Sequence, residues 1–139
     1  MAIETLQSAN SIRVPDRAGE LVINRLVWPV TAKTDADQVL IGYLPANCRI
    51  HAPASQVIAD GATGAMTFDV FVDTTATKIA SAYAVTASTF KQAAVASAAV
   101  IDTIGKATTN RAVYLNLSTA PTVAGGNIVV DLAVYDPGF

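Results

Sequence analysis

The sequence predicts an all-β protein, an antiparallel β-sandwich that follows an extended N-terminal arm. Two observations carry this prediction. Several short segments alternate apolar and polar residues, as a half-buried strand requires because successive side chains point to opposite faces of a sheet. Clusters of glycine, proline and asparagine separate these segments, without the regular alternation of strands and helices that a parallel sheet needs. At 139 residues, the chain has the length of one domain.

Residues 1–24 are predicted to form the arm, and residues 25–139 the sandwich domain. Serine, asparagine, proline and glycine are scattered through the first 24 residues, and the apolar pieces between them are short. This composition favours an extended segment over a helix. The alternative is a first edge strand that packs on its own domain, and composition does not separate the two.

The first half of the domain contains five β-prone segments. They occupy residues 26–30, 39–43, 48–52, 57–59 and 66–72. The first contains Pro29, and proline in a strand is confined to edges, ends and bulges. The last shows the clearest alternation and follows a turn cluster at residues 60–64.

The second half begins with an ambiguous segment. Residues 76–104 are rich in alanine, serine and threonine, and we expect a loop with a short helical turn there, followed by a strand near residues 98–103. Residues 113–117 alternate again. A connection that contains proline and glycine, at residues 118–126, then leads to the longest predicted strand, residues 128–135.

The charge balance argues against nucleic acid as a partner. Nine basic residues stand against 11 acidic ones, the net charge is −2, and no basic run occurs. Only 14% of residues are charged, where a soluble domain has about 25%. Protein partners are therefore expected to cover part of the surface, although an alanine-rich sandwich is the alternative explanation.

The sequence also predicts no membrane partner. No stretch approaches the roughly 20 apolar residues that span a bilayer. The first residues lack the basic start and apolar core of a signal peptide. We therefore expect the protein to be made in a cytoplasm.

No catalytic or cofactor-binding residue is predicted. His51 is the single histidine, and Cys48 lies three residues away, so on a strand the two side chains would point to opposite faces. Gly105 and Lys106 lack the glycine and the hydroxyl residue that a phosphate loop needs around them. With one cysteine, the chain also has no internal disulfide and no cysteine-rich zinc site.

Two further groups of residues were weighed as binding sites. Asp35 and Asp37 could bind a hard cation such as calcium, but no further ligands follow at the spacing of an EF-hand, so a solvated acidic loop is preferred and no metal is predicted. A stacking platform for bases or sugars is the second possibility. Packing within the strands is the preferred role for its aromatic members, which are Trp28, Tyr43, Phe68 and Tyr114.

Three segments together resemble a known family of virion proteins. They are residues 44–50 (LPANCRI), 67–70 (TFDV) and 117–135 (LSTAPTVAGGNIVVDLAVY). These are similar to the "LPAG-x-R-I", "T-x-D-V" and "L-T-x-A-P-T-A-G-x-I-x-V-x-V-x-Y" segments of capsid decoration (cement) proteins of tailed bacteriophages. The resemblance covers roughly residues 40–75 and 110–136. The chain departs from the pattern at Asn47 and Cys48, where small residues are usual, and in the alanine-rich middle.

The resemblance implies a fold and a function. The fold is a jelly-roll-like β-sandwich, and the function is that of a non-enzymatic structural protein on the outside of the phage head. The implied partners are the major capsid protein and further copies of the chain, as a homotrimer or homodimer. The composition of the arm adds a hypothesis, that its apolar residues Ile3, Leu6, Ile12 and Val14 contact the capsid.

Two alternatives remain open at this stage. One is a structural protein of the tail, neck or fibre with the same fold, which differs in copy number. The other is a carbohydrate-binding β-sandwich, which would need exposed aromatic residues and a calcium site near Asp35 and Asp37.

Overall fold

A computed structural model describes residues 3–5, 14–15, 17, 19–61, 63–74, 77–87, 89–95, 101 and 104–138. Over these residues the chain forms ten strands and a short 3-10 helix, Ala52–Ala54. The strands are β1 (Ile3–Thr5), β2 (Leu21–Pro29), β3 (Gln38–Leu44), β4 (Arg49–Ile50), β5 (Gln56–Asp60), β6 (Met66–Val72), β7 (Lys78–Val85), β8 (Phe90–Ala94), β9 (Arg111–Thr119) and β10 (Asn127–Tyr135). The predicted all-β fold is confirmed.

The strands form two sheets that pack face to face. Sheet A has the order β1-β3-β9-β6-β7, and sheet B has the order β2-β10-β5-β8, with β4 paired to the end of β10. Strands that hold the same position in the two sheets are consecutive in the chain. The pairs are β2 and β3, β9 and β10, β5 and β6, and β7 and β8. Eight strands arranged in this way form a jelly roll, so the jelly-roll-like sandwich is confirmed.

The N-terminal strand is the exception to antiparallel pairing. β1 pairs with β3 in parallel, through Ile3 opposite Gln38 and Thr5 opposite Leu40. It thereby forms one edge of sheet A. β2 begins at Leu21, so the first strand of sheet B starts within residues 1–24.

The core lies between the two sheets and is built by alternation. Trp28 on β2, Phe68 on β6, Leu115 on β9 and Leu132 on β10 are each fully buried. The period-two pattern predicted for residues 66–72 and 128–135 is confirmed by β6 and β10, whose inward residues form one hydrophobic cluster. The face that each side chain takes in these strands therefore follows from the sequence.

The alanine-rich segment differs from its prediction. β7 and β8 occupy residues 78–85 and 90–94, where we expected a loop with a helical turn. Ile79, Tyr83 and Val85 are buried and give β7 an apolar inner face, while the alanines between them fit either structure. Of the strand expected near residues 98–103, only Ile101 is described, and it is helical and not part of a strand. In the described part of the chain, no helix is long and apolar enough to cross a membrane.

Candidate interaction surface

The apolar residues predicted to contact a capsid divide into two pairs. Ile3 and Val14 are exposed, with 51% and 57% of their surface accessible. Ile3 lies on the edge strand β1. Leu6 and Ile12 lie outside the described residues.

A second surface is formed by the outward side chains of sheet B, and we call it the sheet B face. Its rows follow from the strand registers, which place Tyr135 opposite Leu21, Ala133 opposite Ile23, Asp131 opposite Arg25 and Gln56, Val129 opposite Val27 and Ile58, Asn127 opposite Pro29, and Asp60 opposite Phe90. Most of these residues are apolar. Ala133 and Asp131 are buried, so the face is only partly open to solvent. Its exposed apolar residues, Leu21, Ile23 and Phe90, are more typical of a contact surface than of a solvated sheet.

A row of hydrogen-bonded polar side chains crosses the middle of the sheet B face. Arg25 donates from Nε and Nη2 to the two carboxylate oxygens of Asp131, at 2.8 and 2.9 Å. Gln56 Nε2 donates to Asp131 Oδ2 at 2.9 Å, and Gln92 Nε2 donates to Gln56 Oε1. The row therefore links all four strands of the sheet.

The two charges of this row are unequally exposed. The side chain of Asp131 is 6% exposed and that of Arg25 is 62% exposed. The hydrogen bonds from Arg25 lower the pKa of Asp131, and those from Gln56 lower it further, against the opposing effect of burial. The bond to Asp131 raises the pKa of Arg25. Asp131 is therefore a buried carboxylate that fixes an exposed guanidinium.

The outward face of sheet A has a different character. Phe71 is buried there because its ring stacks on Tyr114, with centroids 5.1 Å apart. Lys78 Nζ lies 3.1 Å from Asp69 Oδ2. These contacts cover the apolar rings and pair the charges of this face within the chain.

The edge formed by β7 and β8 is closed by its own side chains. Lys91 Nζ donates to the carbonyl of Ala84 at 2.6 Å and lies 4.5 Å from the centre of the Tyr83 ring. The Tyr83 hydroxyl donates to the carbonyl of Lys91 at 3.0 Å. Ala82 has a φ of 51°, which interrupts the regular strand. An inward lysine and an irregular strand both prevent the pairing of an edge with another chain.

Cys48 and His51, the residues considered for nucleophilic chemistry, lie in different environments. Cys48 is buried, and burial raises the pKa of its thiol, with a further rise from the charge of Asp136. His51 is half-buried and meets the ring of Tyr135 edge-on, with centroids 6.2 Å apart. The thiol therefore has the environment of a core residue, not that of an activated nucleophile.

Asp35 and Asp37, the residues considered for calcium, bind backbone amides. Asp35 Oδ1 accepts a hydrogen bond from Ala120 N at 2.9 Å, and Asp37 Oδ2 accepts one from Thr34 N at 3.0 Å. Within the described residues, no group of three or more histidine, cysteine or acidic side chains could hold a metal ion. The two carboxylates hold the loop between β2 and β3.

The aromatic residues considered as a stacking platform are divided between core and surface. Trp28 and Phe68 are fully buried, as packing within the strands predicts. Tyr114 stacks on Phe71, while Tyr43 is 39% exposed. The four rings therefore do not form one exposed surface.

Sequence reasoning missed the sheet B face. Asp131 was the available signal, because it is the one charged residue within the apolar run of residues 128–134. Its partner Arg25 is 106 positions away in the chain. No local pattern joins the two.

Comparison with known proteins supports the fold independently. No protein-family model and no curated protein matches this chain. The chain is similar in structure to a chain of the solved structure "Capsid of Ralstonia phage GP4", with 20% sequence identity and a TM-score of 0.72. The match covers 96% of this chain and 97% of that one. The two chains therefore share one fold over nearly their whole lengths.

Proposed function

We propose that this chain is a non-enzymatic structural protein of a tailed-bacteriophage virion, a decoration (cement) protein that binds the outside of the head and bridges capsid subunits. The observation that carries the proposal is the structural likeness to a chain of a phage capsid over 96% of the present chain. The motif resemblance in residues 40–75 and 110–136 points to the same class of virion protein.

The use of the carboxylates supports a binding role. Five aspartates each accept a hydrogen bond that holds the fold. Their donors are Ala120 N for Asp35, Thr34 N for Asp37, Asn127 N for Asp60, Ala82 N for Asp69 and Arg25 for Asp131. A general acid or base must be able to exchange its proton with a substrate. These carboxylates instead act as structural acceptors.

The mechanism rests on many modest contacts. A cement protein on the capsid exterior touches the major capsid protein and neighbouring copies of itself, as a homotrimer or homodimer, after synthesis in the host cytoplasm. Linking several contacts raises the effective concentration of each, so avidity gains about 10²–10⁴ without a tighter single contact. Subunits bridged in this way resist the outward pressure of packaged DNA.

The arm supplies one of these contacts in our proposal. Ile3 and Val14 expose apolar surface that a partner would cover. Deleting residues 1–20 removes the edge strand β1 and leaves the other strands of both sheets, because β2 begins at Leu21. The truncated chain should therefore still fold and should lose capsid binding. A matched full-length variant replaces the four apolar arm residues, Ile3, Leu6, Ile12 and Val14, with serine. Full capsid binding by both variants, with unchanged circular dichroism, would contradict the arm contact.

Copy number tests the function directly. Quantitative mass spectrometry of purified particles should give one copy of this chain per major capsid protein, or one per few. A handful of copies per particle would indicate that the protein belongs to the neck, tail or fibre. Absence from the particle would overturn the virion role itself.

A further inference from the structure

Three large exposed apolar side chains lie on the sheet B face. Within the described part of the chain, seven large hydrophobic residues are exposed, and three of them lie on this face: Leu21 (44%), Ile23 (46%) and Phe90 (60%). Leu21 and Ile23 lie on β2 and Phe90 lies on β8, at opposite corners of the sheet. The half-buried Val129 and Ile58 lie between them. Large exposed apolar patches mark sites where another molecule binds.

Arg25 gives this face a fixed positive charge, and Asp60 is an exposed acidic residue at the corner where Phe90 lies. Two of the five donors of its guanidinium bind Asp131, and 62% of the side chain remains exposed. The bidentate pair fixes the group before any partner arrives, which lowers the entropy lost on binding. An arginine held in this way within apolar surface is typical of the residues that dominate binding energy at interfaces.

We propose that the sheet B face binds a capsid subunit, at an apolar patch that presents a carboxylate to Arg25. This inference rests on the proposed function and adds a contact to that of the arm. Charge complementarity selects the carboxylate, because a planar guanidinium and a carboxylate form paired, charge-assisted hydrogen bonds. When a partner covers this face, Ile23 and Val27, which flank Arg25 on β2, would exclude water from that bond and strengthen it.

A second copy of the chain fits this face poorly. A two-fold axis through the middle of the face would bring two Arg25 guanidinium groups together. The footprint is also small, since nine residues of β2 and four strands span roughly 27 by 14 Å, or about 400 Å². A stable pair of proteins buries about 800 Å² on each partner. The face therefore suits a contact that is supplemented by the arm and repeated over a capsid.

The test compares two lysine substitutions on opposite sides of the sandwich. Ile23→Lys places a charge on the sheet B face, and Tyr43→Lys places one at a comparably exposed strand position on sheet A. The full-length variants are mixed with capsids assembled without this chain, and bound protein is measured by co-sedimentation. Ile23→Lys should weaken binding at least about tenfold, whereas Tyr43→Lys should bind as the unchanged chain does. Thermal melting by circular dichroism checks that each variant folds.

The outcomes separate this inference from the function on which it rests. Binding of the unchanged chain and of Ile23→Lys with equal affinity would overturn the sheet B contact and leave the cement role intact. No binding by the unchanged chain would overturn the cement role. If the unchanged chain forms oligomers in solution and Ile23→Lys does not, the sheet B face binds a second copy of the chain, and the proposal that it binds a capsid subunit is wrong.

The carboxylate is tested with a double variant. Arg25→Leu together with Asp131→Leu removes both charges at once and leaves no buried charge unpaired, which such pairs tolerate. We expect the double variant to fold, to bind capsids at least about tenfold more weakly, and to lose the salt dependence of binding. Unchanged affinity and salt dependence would overturn the role of Arg25.

Discussion

Replacing Gly42 with alanine tests how closely the two sheets approach at the β2 edge. Gly42 lies on β3, where the register with β9 shifts after Leu40. A methyl group at Gly42 would lie 2.6 Å from Cδ2 and 3.1 Å from Cδ1 of Leu26, a buried residue of β2. Atoms cannot remain that close, so Leu26 must leave its rotamer or the sheets must separate.

The magnitude follows from the packing of this site. Overpacking of a well-filled core costs about 1–3 kcal/mol, so Gly42→Ala should lower the free energy of unfolding by that amount. Leu26→Ala alone should cost about 2–5 kcal/mol, since it leaves a cavity. In the double variant the new methyl group occupies space that Leu26 vacated. The double variant should therefore lose about 1–3 kcal/mol less stability than the sum of the two single losses.

Urea unfolding of the four proteins measures this coupling. Far-UV circular dichroism follows the sheets, and the fluorescence of Trp28, the single and fully buried tryptophan, follows the core. Gly64→Ala is the matched control. A methyl group there would lie 3.2 Å from Cγ2 of the exposed Val123 and 3.8 Å from Cβ of Pro121, so the change should stay within about 0.5 kcal/mol. Equal stability of Gly42→Ala and the unchanged chain, or strict additivity with Leu26→Ala, would refute the close approach.

Two further predictions concern single residues. Asn47 has a φ of 62°, in the left-handed region. In urea unfolding, the free energy of unfolding of Asn47→Gly should stay within about 0.5 kcal/mol of that of the unchanged chain, whereas Asn47→Val should lose about 1–2 kcal/mol. Equal stability of the two variants would contradict the backbone argument. The folded pKa of Asp131 is depressed, so its contribution to stability is present above the unfolded value of about 3.9 and is lost as the pH falls through the folded pKa. Asp131→Asn should therefore be less stable at about pH 7 and show a weaker loss of stability towards about pH 3; an unchanged pH profile would contradict this account.

Much of the fold could be predicted because the core-facing strands alternate. β6 and β10 have the predicted pattern, and Pro29 ends β2 as a proline at a strand end should. β7 and β8 could not be predicted, because alanine fits a strand or a loop, and the pairing with β6 and β5 that decides between them is not a local feature of the sequence. The parallel pairing of β1 with β3 depends on a contact between residues about 35 positions apart in the chain, which no local pattern encodes.

The departure at Asn47 from the decoration-protein pattern has a physical explanation. The pattern has glycine at that position, after the Leu-Pro-Ala turn. The backbone there is left-handed, with a φ of 62°. Asparagine is one of the few residues besides glycine that adopts this conformation readily. Asparagine at this position is therefore compatible with the left-handed backbone of the turn between β3 and β4.

The pair formed by Arg25 and Asp131 is not what an optimal fold would place at the middle of β10. Burying the Asp131 carboxylate costs hydration, and the hydrogen bonds from Arg25 and Gln56 offset that cost, while most of the Arg25 side chain stays exposed. The neighbouring rows of the sheet B face, with Val27, Val129 and Ile58, already pack without charge. Sequences depart from optimal packing mainly at functional sites. Within the fold the pair satisfies the Asp131 carboxylate, and the exposed part of the Arg25 guanidinium is what a partner's carboxylate would bind.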